Sequence, residues 1–137
     1  MARQLLADTG PLVALIARDD GDHQLVDAYL RSAPATLLTT WPVLTEAWHL
    51  LPGNGRIGLM QWVRKGGIQI HEFDDGADGV LLALLEKYRD LPMDLADASL
   101  VLLAMKTGLF DVLTLDRRDF STYRLPGNKR FHLVLDQ

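Results

Sequence analysis

The sequence predicts an α/β protein, a three-layer α/β/α sandwich around a central, mainly parallel sheet. Short apolar runs typical of buried strands alternate along the chain with longer segments in which apolar residues recur at helical spacing. The first pair is the clearest, because Leu5–Ala7 resembles a strand buried on both faces and Pro11 opens an apolar helix after a polar break. The 137 residues contain no repeat, low-complexity tract or linker, so we expect one domain over 1–137.

The remaining elements are predicted from the same two patterns and from the residues that interrupt them. Clusters of Gly, Pro and Asp break the chain at 19–22, 52–55 and 66–67, and Gly108 ends the last long helix. Thr9 or Gly10 is expected to cap the first helix, and Thr40 the third. Helices are predicted over 11–18, 23–31, 42–51, 56–65, 80–88 and 94–106, and strands over 35–39, 68–73, 112–115 and, at a sheet edge, 131–135.

Composition and charge limit the classes of function. With 48% hydrophobic and 23% charged residues, the chain has an ordinary globular composition, and we find neither a signal-peptide pattern nor an apolar run of membrane-spanning length. The absence of cysteine excludes disulfides and thiolate metal sites and is typical of the cytoplasm. A net charge of −4 argues against nucleic-acid binding through the overall field, so such binding needs local basic residues or a metal ion.

Two acidic residues follow predicted strands. Asp8 comes after the strand at 5–7, and Asp116 comes after the strand that ends at Leu115. The carboxyl ends of parallel strands share one edge of a sheet, and ligands bind at that edge in open α/β folds. Either residue alone could be a loop residue or a helix cap, but the two together favour a site.

Three further acids are candidates for the same site. Asp94 and Asp97 are three residues apart, on one face of the helix predicted over 94–106. Asp94 is best explained as the N-cap, and Asp97 would then occupy the capping-box position. We nevertheless assign Asp97 to the site, because the same helix end can direct it at the sheet edge. Glu46 lies in an otherwise apolar helical segment, although an exposed surface position is the ordinary place for a lone Glu.

A cluster of carboxylates predicts a metal site. Like charges held together destabilise a fold unless a cation compensates them. Oxygen ligands without His or Cys suit Mg²⁺, with Mn²⁺ as the second choice, and such a site supports metal-assisted attack of water on a phosphodiester. The histidines have no zinc-ligand spacing and are interpreted as ordinary core-rim or surface residues: His23, His49, His71 and His132.

Four segments that follow one another along nearly the whole chain resemble the PIN-domain family, specifically the VapC-type toxins of bacterial toxin–antitoxin pairs. They are Leu6–Leu15 (LADTGPLVAL), Leu44–Ala47 (LTEA), Met93–Val101 (MDLADASLV) and Leu113–Phe120 (LTLDRRDF). No single segment is specific, so the ordered set carries the resemblance.

The resemblance implies a PIN-like fold, Mg²⁺-dependent endoribonuclease activity and inhibition by a small antitoxin protein. It also implies a cytoplasmic protein without a membrane segment, acting as a homodimer or within a toxin–antitoxin hetero-oligomer. The family's acidic quartet, which would both bind metal and catalyse, maps onto Asp8, Glu46, Asp97 and Asp116. Hydroxyl positions beside the site match Thr9 and Thr114, and two more acids lie near the quartet, Asp94 and Asp119.

Basic residues near and after the Asp116 strand end form a candidate RNA contact on an otherwise acidic protein. Phosphate contacts there would position RNA, whereas sequence choice would come from unstacked single-stranded bases. A solvated loop whose charges serve solubility is an equal alternative. The residues are Arg117, Arg118, Arg124, Lys129 and Arg130.

The helix predicted over 42–51 has more apolar side chains than one core face requires. They are Val43, Leu44, Trp48, Leu50 and Leu51, and Trp62 follows on the next helix. Part of this surface is therefore expected to pack on another chain, either an antitoxin segment or a second copy. A large buried core is the alternative.

Other interpretations of the acidic residues fit less well. Asp8-Thr9-Gly10 is also the signature of aspartic proteases, but those enzymes are all-β and this chain has at least five predicted helices. A haloacid-dehalogenase-like phosphatase needs a second Asp where Gly10 stands, and a receiver domain needs an acidic pair and a late Lys that are not evident. The main alternative is a PIN-fold metal- or RNA-binding module with little or no turnover.

Overall fold

The computed structural model describes residues 3–136 and confirms the α/β/α fold class. Its strands are β1 (Arg3–Ala7), β2 (Ala35–Thr39), β3 (Ile68–Ile70), β4 (Asp111–Leu113), β5 (Arg124–Leu125), β6 (Lys129–Arg130) and β7 (His132–Leu133). Five of them form one sheet in the order β3-β2-β1-β4-β7, and every neighbouring pair in it is parallel. The strands β5 and β6 form a separate antiparallel pair.

The helices are α1 (Thr9–Ile16), α2 (His23–Ser32), α3 (Trp41–Leu50), α4 (Gly53–Arg64), α5 (Ala77–Lys87), α6 (Leu95–Thr107) and α7 (Arg117–Thr122). From β1 the chain proceeds through β2 to β3 on one side of the sheet, and from β4 it proceeds to β7 on the other side. Right-handed crossovers therefore place α1–α4 on one face and α5–α7 on the opposite face. The direction of winding changes between β1 and β4, which is the position where open α/β sheets bind ligands.

Several element boundaries differ from those predicted. The first helix begins at Thr9, so neither Thr9 nor Gly10 is its cap and Asp8 occupies that position without a capping side-chain bond. The Pro–Gly stretch at 52–55 does separate two helices, but α4 already begins at Gly53. The helix α7 and the β5–β6 pair were not predicted, because both are shorter than a hydrophobic period can reveal. The third strand ends at Ile70 and not at 73.

The helix α6 lies at the centre of the core. Every residue from Ala96 to Ala104 is buried, as expected of a helix that is apolar on nearly all sides. It packs against α3, α5 and β1, whose residues Leu5, Leu6 and Ala7 are fully buried. The first turn of α6, which contains Asp97, is thus packed next to the sheet. Within residues 3–136, no helix has both the length and the hydropathy needed to cross a membrane.

The apolar residues of α3 serve two purposes. Val43, Leu44 and Leu51 are buried in the core, whereas Trp48 and Leu50 are exposed. The large-core alternative therefore accounts for part of this segment and leaves apolar surface on the rest.

Candidate active site

Pairing of β1 with β4 positions the first acid. Ala7 is in register with Leu113, and the amide of Asp8 donates a hydrogen bond to the carbonyl of Leu113 at 3.0 Å. The ladder thus continues one residue beyond the end of β1. Asp8 lies at the carboxyl edge of the sheet, which we define as the edge where its strands end, and Thr114 lies beside it.

Hydroxyl and amide donors fix the orientation of the Asp8 carboxylate. Thr114 Oγ1 donates to Asp8 Oδ2 at 2.7 Å and itself accepts from the Asp116 amide at 2.9 Å. Asp8 is only 7% exposed, and this burial raises its pKa to about 6, against the opposing effect of the Thr114 hydrogen bond. The charges of Glu46 and Asp116 raise the pKa of Asp8 further.

Asp97 is held in a comparable way from the opposite side. It is 8% exposed in the first turn of α6, and its Oδ2 accepts a hydrogen bond of 2.7 Å from the Tyr123 hydroxyl. Burial raises the pKa of Asp97 to about 7; the Tyr123 bond lowers it, and nearby carboxylates, Asp94 first among them, raise it. Tyr123 is fully buried between the rings of Tyr88 and Phe120, with centroids 5.1 and 5.3 Å away, so its hydroxyl has a defined position.

Asp94 caps α6, as predicted: its Oδ1 accepts from the Asp97 amide at 2.8 Å. The same arrangement recurs in α7, where Asp116 Oδ1 accepts from the Asp119 amide at 3.0 Å. Each helix start therefore presents a pair of acids three residues apart. The repeated Asp-x-x-Asp spacing is the sequence signal that marks Asp119 as a member of the site.

A buried hydroxyl pair brings Glu46 to the same place. Thr40 caps α3 through the Val43 amide, as predicted, and Thr40 Oγ1 lies 2.6 Å from Ser99 Oγ on α6. This bond ties α3 to α6, so that Glu46 faces Asp94. Burial raises the pKa of Glu46, and the charge of Asp94 and a hydrogen bond with it act in the same direction.

Six acids line one open cleft of about 530 Å³, together with Thr9, Gly10 and Leu115. The predicted quartet lies there, joined by Asp94 and Asp119. Carboxylate oxygens of Asp97, Asp116 and Asp119 lie within 4.8 Å of one another, close enough to share one ion. Burial raises the pKa of Asp119, and its contact with Asp116 raises it further. The acids are Asp8, Glu46, Asp94, Asp97, Asp116 and Asp119.

The cleft has the chemistry of a hard-cation site. Its ligand atoms are all oxygens, which suit Mg²⁺, Mn²⁺ or Ca²⁺. The buried Thr9 Oγ1 has no hydrogen-bond partner, although it lies near enough to Glu46 to lower the pKa of that carboxyl. Among the ion pairs of residues 3–136, none joins a cleft acid to a Lys, Arg or His within 4.0 Å. A divalent cation would supply both the missing charge and a ligand position for the hydroxyl.

The structure separates the predicted basic residues. Arg117 and Arg118 open α7 next to Asp116; Arg117 pairs with Asp136 at 2.6 Å, and Arg118 is close enough to Asp119 to lower its pKa. The guanidinium of Arg124 donates to the backbone carbonyls of residues 121–123. Lys129 and Arg130 form the exposed strand β6, and Lys129 Nζ lies 5.0 Å from the Phe110 ring, before the start of β4 and so away from the carboxyl edge.

Comparison with known proteins finds similarity in sequence to one relative and in architecture to one solved structure. No protein-family model matches the sequence. The chain is 25% identical over 134 residues to Ribonuclease VapC26 of Mycobacterium tuberculosis, covering 95% of this chain and 99% of that protein. It also has the fold of the crystal structure of M. tuberculosis VapC20, a Sarcin-Ricin loop cleaving toxin. The TM-score is 0.76 at 18% identity, over 83% of this chain and 91% of that one.

Proposed function

We propose that this chain, a VapC-type PIN-domain protein, is a metal-dependent endoribonuclease and the toxin of a toxin–antitoxin pair. The similarity to VapC26 over nearly the whole chain and the fold shared with VapC20 confirm the resemblance predicted from the sequence. The observation that carries the proposal is the cleft at the carboxyl edge, where six acids converge without a cationic partner among the described residues. Hydrolysis there adds water across an RNA phosphodiester bond and releases a phosphate monoester and a hydroxyl.

We assign Asp8 and Asp97 as direct ligands of Mg²⁺, with Mn²⁺ as a substitute, and Asp116 as a further ligand. We add Asp119 to these ligands, because its carboxylate oxygen lies within 4.8 Å of carboxylate oxygens of Asp97 and Asp116. The ion would lower the pKa of the attacking water and neutralise charge on the phosphate. Metal binding requires ionised carboxylates, so the raised pKa values of Asp8 and Asp97 make the affinity of this site for metal rise with pH.

The chain's own residues orient these ligands and handle the proton. Thr114 donates to Oδ2 of Asp8 and Tyr123 donates to Oδ2 of Asp97, and both carboxylates line the cleft. Such fixed carboxylates lose little freedom on binding a cation. Glu46, half-buried at the cleft with its pKa raised, orients the attacking water and is placed to accept its proton.

Arg117 and Arg118 are the basic residues best placed to contact RNA phosphates, because both open the helix that follows Asp116. Such contacts would position the strand without reading its sequence. Lys129 and Arg130 were predicted to act with them, but they form β6, away from the cleft. They could contact only a distant part of a long RNA.

An antitoxin and a second copy of the chain are the protein partners that we propose. The groove between α3 and α4 suits an apolar segment, because it is lined by the exposed Trp48, Ile57 and Met60. Arg64 and Lys65 at its border would favour acidic side chains on that segment.

We place the protein in the cytoplasm, where a bacterial toxin meets its RNA.

Cleavage of purified RNA with and without Mg²⁺ tests the proposal. Asp8→Asn keeps the size of the side chain and removes its charge, so the rate should fall by orders of magnitude. Asp78→Asn, an exposed acid in the first turn of α5, is the matched control and should cleave at the wild-type rate. A wild-type rate from Asp8→Asn would contradict the assignment of the site. If purified wild-type protein binds RNA and Mg²⁺ without cleaving, the chain is the binding module considered above.

A further inference from the structure

A second groove lies beside the acidic cleft, between one face of α3 and the start of α6. Trp41, Thr45 and His49 follow one another at helical spacing along its α3 side, and Leu95 contributes from α6. The groove encloses about 650 Å³. Three of its large apolar side chains are exposed: Trp41 by 47%, Leu50 by 61% and Leu95 by 51%. An apolar surface of this kind next to a polar site indicates a binding surface.

This groove is continuous with the acidic cleft. Glu46, Leu50 and Asp94 line both cavities, so a ligand that places a phosphate at the carboxylates reaches the groove with its adjacent part. The indole of Trp41 is directed by a long hydrogen bond of 3.4 Å from its Nε1 to Glu72. Its ring therefore has a polar tether at one edge, while nearly half of its surface remains accessible.

We propose that the groove binds one nucleobase of single-stranded RNA, stacked on Trp41, next to the phosphodiester at the acidic cleft. This inference rests on the endoribonuclease function proposed above and adds a substrate-positioning residue, Trp41. A nucleobase has two apolar faces and a polar edge, and bases of single-stranded RNA stack on exposed aromatic side chains. The Thr45 hydroxyl and the His49 imidazole lie along the same side of the groove and can bond the polar edge.

Charge favours a base over a phosphate in this position. The groove adjoins Glu46 and Asp94, whose carboxylates repel a phosphate but accept hydrogen bonds from the N–H groups of a neutral base. The RNA strand would therefore place one phosphate at the acidic cleft and the adjacent base in the apolar groove. A second copy of this chain covering Trp41, Leu50 and Leu95 is the competing occupant, and the experiment distinguishes the two.

The experiment compares two ligands with equal phosphate charge, an oligoadenylate octamer and an abasic ribose–phosphate octamer. Binding is measured by fluorescence anisotropy in the Asp8→Asn background with Ca²⁺, so that the result does not depend on turnover. Trp41→Ala should weaken binding of the oligoadenylate between about fivefold and about a hundredfold, the range for loss of one stacked base. It should leave binding of the abasic octamer unchanged. Trp41→Phe, which keeps an aromatic face, should recover most of the loss.

The control is Leu82→Ala, an exposed apolar side chain of α5 that lines neither the groove nor the acidic cleft. It should leave the preference for the oligoadenylate over the abasic octamer intact. If Trp41→Ala leaves that preference unchanged, the proposal is overturned; a change in sedimentation caused by the same variant then assigns the groove to a second copy. The two proposals can also be separated. If Trp41→Ala loses base-dependent binding while the wild type does not cleave RNA, the base-binding groove is supported and the proposed endoribonuclease function is rejected.

Discussion

Acids occupy both edges of the sheet, and their surroundings differ. At the carboxyl edge, the Oδ2 atoms of Asp8 and Asp97 each accept one hydrogen bond from a neutral hydroxyl, and burial raises both pKa values. At the amino edge, where strands begin, Asp111 lies 3.3 Å from Arg3 Nη2 and 2.8 Å from His132 Nδ1. Asp111 is also partly exposed, and the guanidinium of Arg3 places a positive charge beside it.

The difference concerns where the balancing charge comes from. At the amino edge the chain supplies basic partners from neighbouring strands, so the fold needs nothing else. At the carboxyl edge the protein supplies oriented dipoles and further acids, which increase the electrostatic cost of the metal-free state. An external cation is the remaining means of compensation, and the same imbalance that weakens the fold provides the affinity for metal. Four measurements test this difference between the two edges.

The largest effect is expected from Mg²⁺ on thermal stability. A ligand that binds only the folded state stabilises it by about 2.7 kcal/mol at roughly a hundred times its dissociation constant, equivalent to a melting shift of roughly 10 °C. The wild type should show this shift, whereas Asp97→Asn should be as stable or more stable without metal and respond much less. Asp94→Asn should keep the full response, since Asn caps a helix about as well as Asp. If Asp94→Asn loses the response to Mg²⁺ and Asp97→Asn keeps it, Asp94 is the metal ligand and the assignment of Asp97 is wrong.

The metal-free protein should lose stability as pH rises from about 4 to about 7. Asp97 has a pKa raised from 3.8 to about 7 in the folded state, so over this interval the folded state binds more protons than the unfolded state. The stability contributed by this group is complete below pH 4 and lost as pH rises through 7. The slope for this group should stay below about 1.4 kcal/mol per pH unit, because the two states differ by less than one proton at this site. Urea unfolding with EDTA at several pH values measures this dependence. The free energy of unfolding should vary less with pH in Asp97→Asn than in the wild type. An equal slope in the two proteins would show that Asp97 does not titrate between pH 4 and pH 7.

Tyr123→Phe should cost about 1 kcal/mol of stability and weaken metal binding at acidic pH. The change removes the hydrogen bond to Asp97 and keeps the ring between Tyr88 and Phe120. Because that bond lowers the pKa of Asp97, its loss raises the pKa, and protons should compete with Mg²⁺ up to a higher pH. Calorimetric titration of Mg²⁺ at pH 6 and pH 8 measures this. Tyr88→Phe, whose hydroxyl accepts from the Arg124 amide, is the control and should leave the pH dependence as in wild type.

The smallest effect is expected at the amino edge. Asp111→Asn removes one carboxylate from a partly exposed pair, and such pairs contribute about 0–1 kcal/mol. Its chemical denaturation midpoint should therefore change little, and its melting shift with Mg²⁺ should equal that of the wild type. A reduced Mg²⁺ response in Asp111→Asn would mean that the cation does not act at the carboxyl edge.

The features predicted correctly from the sequence are those that depend on neighbouring residues along the chain. Alternating buried strands and helices predicted the parallel sheet, because the apolar period and the Pro and Gly interruptions are local signals. The caps at Thr40 and Asp94 were predicted correctly for the same reason, since a cap bonds amides two or three residues away. Placing Asp8 at a strand end then required only the end of the apolar run.

The contacts between side chains across the cleft depend instead on how distant segments of the chain pack together. The bond from Tyr123 to Asp97, 26 residues away, depends on how α7 packs on α6, and no period in the sequence encodes it. Asp119 joins the cluster because α7 is a helix, an element too short to be predicted. Lys129 was grouped with Arg117 because it is near in sequence, yet the chain turns back after α7 and places it near Phe110. Contacts between distant segments follow from strand order and helix packing, and one local sequence pattern is compatible with several of these arrangements. The geometry of a metal site depends on such contacts, so it could not be predicted from the local pattern.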